Sequence, residues 1–66
     1  MPRVTIDMYP GRSKEQKAEL AQVITRALVD IANAKPESVD IVFKEVSKDD
    51  WAFSGTLASD EEAMNG

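Results

Sequence analysis

The 66-residue chain contains no cysteine and no histidine. Without cysteine there is no disulfide, no thiolate metal site and no cysteine nucleophile. Without histidine the commonest general base at neutral pH is missing, and so is the other common zinc ligand. Basic residues are also scarce: 8 Lys and Arg stand against 12 Asp and Glu, a net charge of −4. That balance argues against a nucleic-acid or anionic-membrane surface, which needs a basic stripe. No apolar run approaches the roughly 18 residues of a transmembrane helix, and no signal-peptide pattern precedes the first strand. A cytoplasmic protein is expected, with no metal and no cofactor. Any proton transfer must use a carboxylate, a lysine or the amino terminus.

What the chain does have is apolar content, at 42% of residues, too much for a disordered segment. The length fits a single domain spanning 1–66. A chain this short buries only about 60% of its unfolded surface, and small folds lean on disulfides, metals or oligomerisation. With the first two gone, assembly with other copies is the expected remedy.

Val4, Ile6 and Met8 alternate with Arg3, Thr5 and Asp7, which predicts a strand over Pro2–Met8. Tyr9-Pro10-Gly11-Arg12 breaks it as a turn. Ser13 and Gln16 have the capping-box spacing. Behind them Leu20, Val23, Ile24, Ala27, Leu28 and Ile31 recur at helical intervals, predicting one amphipathic helix to Ala32. Pro36 closes that region, and a second strand is expected over Ser38–Val46, apolar on part of both faces. Ser47–Asp50 reads as a charged loop, and Trp51–Leu57 as a short hairpin turning at Ser54-Gly55. The acidic tail from Ser59 is expected to fray.

Strand, helix, strand is a βαβ unit of the α+β class, with parallel strands and a right-handed crossover. One helix covers one face of a two-stranded sheet. The other face and both edges stay open, so other copies of the chain should supply the missing surface.

The Met1-Pro2 start bears on chemistry. Removal of Met1 leaves Pro2 with a free secondary amine at the head of a strand. Ordinary α-amino groups titrate at about 7.7–8.0, and a proline amine is intrinsically more basic. A nearby cation and partial desolvation both bring such an amine toward neutrality, where a general base works best. On the dipeptide alone the bland reading wins, because proline at position 2 is common.

Met1-Pro2 ahead of a strand, then Gly11-Arg12-Ser13 with Glu15-Gln16-Lys17, resembles the 4-oxalocrotonate tautomerase family. Ser38-Val39, Glu45, Lys48, Trp51, Gly55 and Leu57-Ala58-Ser59 extend the match without gaps to about Ser59. The resemblance implies a β-α-β subunit in a homo-oligomer, a hexamer first of all, acting on a small carboxylate enol. It also implies keto–enol tautomerisation with Pro2 as general base. Arg12 would bind the substrate carboxylate or polarise its carbonyl. Trp51 stands where the family has a pocket aromatic, with Tyr9 and Phe53 at pocket-lining positions. Each has a structural alternative: Arg12 as a solvated turn residue, Trp51 as a plug at a subunit contact, Tyr9 as turn packing.

One position departs from the pattern. Relatives acting on dicarboxylate dienols carry a second arginine at the start of the second strand, and here that residue is Asp40. An aspartate repels the far carboxylate of 2-hydroxymuconate, whereas the large Tyr9, Trp51 and Phe53 suit an aromatic or monocarboxylate enol such as phenylenolpyruvate. Arg3 or Lys44 could compensate in space. Two rival readings follow from Asp40: a haloacrylate dehalogenase or hydratase in which an acid activates water, and a non-catalytic protein that keeps the scaffold.

Overall fold

A computed structural model describes residues 2–65. Strand β1 (Arg3–Met8) leads into helix α1 (Lys14–Ala32), and strand β2 (Asp40–Glu45) returns beside β1. A hairpin of β3 (Ala52–Phe53) and β4 (Thr56–Leu57) follows, then helix α2 (Ala58–Asn65). β1 and β2 run parallel in the register Arg3–Asp40, Val4–Ile41, Thr5–Val42, Ile6–Phe43, Asp7–Lys44 and Met8–Glu45. The ladder extends past both ends, since Asp40 N–H donates to the Pro2 carbonyl at 3.0 Å and Val46 N–H to the Met8 carbonyl at 2.8 Å.

Local chemistry explains each boundary. Ser13 Oγ accepts from the Gln16 N–H at 3.1 Å while Gln16 Oε1 accepts from the Ser13 N–H at 2.8 Å, so two otherwise orphaned helix donors are satisfied. Asn33 ends α1 in the left-handed conformation at φ 57°, which asparagine tolerates better than most residues. The first two residues of the expected second strand, Ser38 and Val39, fall outside it. Pro36–Ser38 form a 3₁₀ turn, favoured by proline at its start, and the strand proper opens at Asp40. Lys48–Asp50 is a second 3₁₀ turn, capped by Ser47, whose Oγ accepts from the Asp49 N–H at 3.1 Å. Ser54 and Gly55, at φ 49° and 84°, give the two positive angles that a tight hairpin turn requires.

The acidic tail, expected to fray from Ser59, is drawn into α2. Two features account for the difference. Ala58 N–H donates to the Trp51 carbonyl at 2.7 Å, which fixes the helix start against the 3₁₀ turn and hairpin, and Asp60 and Glu61 sit in the first turn where the helix dipole favours them.

Alternation assigns the sheet faces. Glu45 reaches α1 through a 2.8 Å ion pair with Lys17, so Ile41 and Phe43, with Val4, Ile6 and Met8 opposite, lie on the helix side. Arg3, Thr5, Asp7, Asp40, Val42 and Lys44 line the other face. Both ion-pair partners keep solvent contact, so the bridge orients α1 more than it stabilises it.

No core closes within one protomer. Among the described residues only Ala58 is buried, and Ile31 and Val23 on α1 are 85% and 60% exposed. The radius of gyration is 15.5 Å, against about 11 Å for a compact chain of this length. No helix among the described residues is long and apolar enough to cross a membrane.

The reciprocal cap makes a direct prediction. Ser13→Ala should lower stability by about 1 kcal/mol, read by urea denaturation at a fixed protomer concentration, because assembly contributes to the midpoint.

Candidate active site

The sequence singles out Pro2, Arg12, Tyr9, Trp51, Phe53 and Asp40, and the fold gathers them into three places. Pro2 and Asp40 meet at one end of the sheet. The hydrogen bond from the Asp40 N–H holds the Pro2 carbonyl, so Pro2 sits at the mouth of the β1–β2 ladder. Asp40 is exposed and lies opposite Arg3 in the register. Side chains paired this way share a face, so the acid at position 40 has a cationic neighbour within its own protomer. Lys44 is opposite Asp7, further along the same face.

The aromatic residues form one cluster. The rings of Tyr9 and Trp51 meet edge to face with centroids 4.9 Å apart, and Trp51 and Phe53 are tilted at 6.5 Å. Both distances fall in the favourable range for aromatic pairs. Lys48 Nζ lies 5.3 Å from the Tyr9 ring centroid, a cation–π contact that adds positive charge to this wall. The sequence reading did not assign Lys48 a place here. The available signal was its position three residues before Trp51, in a turn that folds back on Tyr9.

Arg12 occupies a third place. Gly11 adopts φ 131°, a conformation L side chains rarely take, and this lets the chain swing from the end of β1 into the helix cap. Arg12 follows on the surface, at the rim of a groove of about 390 Å³ with Gln16, Glu19, Leu20 and Val23. Pro2 precedes the six residues of β1 and Arg12 follows them. At about 3.3 Å per residue the two are separated by roughly 20 Å of strand. One protomer therefore does not bring its own Pro2 and its own Arg12 together.

A parallel β-α-β protomer with one long helix and a C-terminal antiparallel hairpin has the tautomerase fold. Comparison with known proteins gives the family. The family model described as tautomerase enzyme matches residues 2–61, and the chain belongs to that family. A "probable tautomerase" of Halalkalibacterium halodurans is 38% identical over 61 residues, 92% of this chain and all of that one. The 2-hydroxymuconate tautomerase of Bacillus subtilis is 37% identical over 62 residues, 94% of this chain and all of its own length. A heterohexameric 4-oxalocrotonate tautomerase from Chloroflexus aurantiacus superposes with a TM-score of 0.81 at 32% identity, covering 89% of this chain and 95% of that one.

The aromatic contact is measurable. A double-mutant cycle with Tyr9→Leu and Trp51→Leu, read by denaturant titration, should give a coupling of about 0.5–1.5 kcal/mol. Additive losses would show that the two rings stand independently.

Proposed function

We propose that this protein is a cofactor-independent keto–enol tautomerase, an isomerase of 2-hydroxy-enoic acids, that uses Pro2 as general base after removal of Met1. While Met1 is attached the Pro2 nitrogen is a tertiary amide without a lone pair to offer. Once free, the secondary amine takes the proton of the enol hydroxyl as the carbonyl forms and returns it to carbon. Atoms balance without oxidant, metal or cofactor. The observation that carries this reading is the family match over residues 2–61 together with the anchoring of Pro2 at the sheet end.

Arg12 is the proposed carboxylate anchor, because a planar, permanently charged guanidinium can grip a carboxylate with two hydrogen bonds. The strand length between it and Pro2 requires that the anchor come from another copy. A homo-oligomer follows, and the hexameric architecture of the Chloroflexus aurantiacus relative supports six copies here. Tyr9, Trp51 and Phe53 supply an apolar wall that strengthens contacts to the developing enolate oxygen. The substrate class comes from the Bacillus subtilis relative, which acts on 2-hydroxymuconate. Asp40 modifies it: a carboxylate near the base disfavours a second substrate carboxylate and favours an enolpyruvate-type acid with an uncharged far end. The expected location is the cytoplasm.

Asp40 also favours a second reading, haloacrylate hydration or dehalogenation, in which its carboxylate activates water beside Pro2. Assaying halide release next to ketonisation separates the two.

Two outcomes test the principal reading. On protein whose mass shows Met1 removed, Pro2→Ala should lower kcat for phenylenolpyruvate ketonisation at least about a hundredfold, followed by ultraviolet absorbance. Turnover at the parent rate would remove Pro2 from the mechanism. Arg12→Ala should act mainly on KM, raising it about tenfold or more, and a constant KM would show that the anchor lies elsewhere.

A further inference from the structure

We propose that the Tyr9 hydroxyl is a catalytic hydrogen-bond donor to the enol oxygen of the substrate, beside the carboxylate held by Arg12. The inference rests on the tautomerase reading and extends it. Between the two proton transfers the enolate oxygen carries negative charge, and a fixed donor aimed at that oxygen lowers the barrier. Arg12 is committed to the neighbouring carboxylate, so the oxygen needs a donor of its own. Asp40 cannot serve, because an ionised carboxylate only accepts. Arg3 shares its rung with that acid.

Tyr9 is held by both its backbone and its ring. It follows Met8, whose carbonyl accepts from the Val46 N–H at 2.8 Å where the ladder ends. Its ring meets Trp51 edge to face with centroids 4.9 Å apart, and Lys48 Nζ stands 5.3 Å from its centroid. Trp51 is fixed in turn, since its carbonyl accepts from the Ala58 N–H at 2.7 Å. A ring held by an indole and an ammonium presents its hydroxyl without the reorganisation that a loose side chain needs. No hydrogen bond among the described residues uses that hydroxyl. The residue is half-buried, so the group keeps access to a ligand.

The turn sets the reach. Three peptide units separate Tyr9 from Arg12, at most about 11 Å between their Cα atoms. Both side chains are long enough to take adjacent groups of one ligand. The guanidinium holds the carboxylate, and the hydroxyl meets the oxygen on the next carbon. Pro2 removes the enol proton and returns it to carbon, while Tyr9 keeps its own.

Oxalate and propionate are the probes, read by isothermal titration calorimetry on protein whose mass shows Met1 removed. Oxalate sets a second anionic oxygen beside the carboxylate, as the enolate does, and propionate offers a carboxylate alone. Tyr9→Phe keeps the ring and loses only the hydroxyl. It should weaken oxalate binding about tenfold or more and leave propionate binding unchanged. The kcat for phenylenolpyruvate should fall by a similar factor at nearly constant KM. Equal weakening of both anions would show a packing role and overturn the proposal, as would unchanged oxalate binding. So would an oxalate-selective loss in Trp51→Phe with Tyr9→Phe indifferent. Oxalate selectivity through Tyr9 without enol turnover keeps the hydroxyl contact and removes the tautomerase reading. Turnover lost in Pro2→Ala but at the parent rate in Tyr9→Phe removes this proposal alone.

Discussion

The parallel pairing of Arg3–Met8 with Asp40–Glu45 sorts the sheet's side chains onto two faces, and both the helix and the candidate site are placed by that sorting. One face offers Val4, Ile6, Met8, Ile41 and Phe43 to α1, with the Lys17–Glu45 ion pair at its margin. The other presents opposite charges across each outer rung, Arg3 beside Asp40 and Asp7 beside Lys44. Shifting the register by one residue would send every apolar side chain to the wrong face. The same pairing brings the Asp40 N–H to the Pro2 carbonyl and so fixes Pro2 at the head of the sheet.

What the protomer cannot do is bury these faces. A 19-residue helix over two six-residue strands leaves Leu20, Val23 and Ile31 in solvent. Burying apolar surface is worth about 25 cal/mol per Å², and the ordering of each residue costs about 1–2 kcal/mol of backbone entropy. An extended protomer with one buried residue among those described has little to set against that cost. The sequence has removed the other remedies, since it holds no cysteine for disulfides and neither cysteine nor histidine for a zinc staple. The remaining burial has to come from outside the protomer, and the open strand edges leave unpaired backbone groups where a further chain can attach.

The elements legible in the sequence are those whose signal is local. Alternation over Val4, Ile6 and Met8 marks β1, the Ser13–Gln16 box marks the start of α1, and Ser54-Gly55 marks the hairpin turn. The features that escaped depend on distant groups. α2 carries no apolar stripe to announce it, and its first residue is fixed by a bond to the Trp51 carbonyl. The opening of β2 at Asp40 instead of Ser38 reflects Pro36, which pulls the chain into a 3₁₀ turn before the ladder begins. The candidate site divides the same way. The aromatic residues Tyr9, Trp51 and Phe53 converge in one cluster, while the cation over Tyr9 needed the turn at Lys48 to be seen. That Arg12 and Pro2 stand at opposite ends of β1 is a matter of length, which residue types alone do not carry.

That separation sets the limits of what one chain can assemble. Within one protomer Asp40 lies opposite Arg3 at the Pro2 end of the ladder. The aromatic rings, the Lys48 ammonium and Arg12 all follow the other end of β1. The two groups are therefore about 20 Å of strand apart. No small molecule bridges that distance within one protomer. Side chains at the two ends can act on one ligand only where a second chain brings them together.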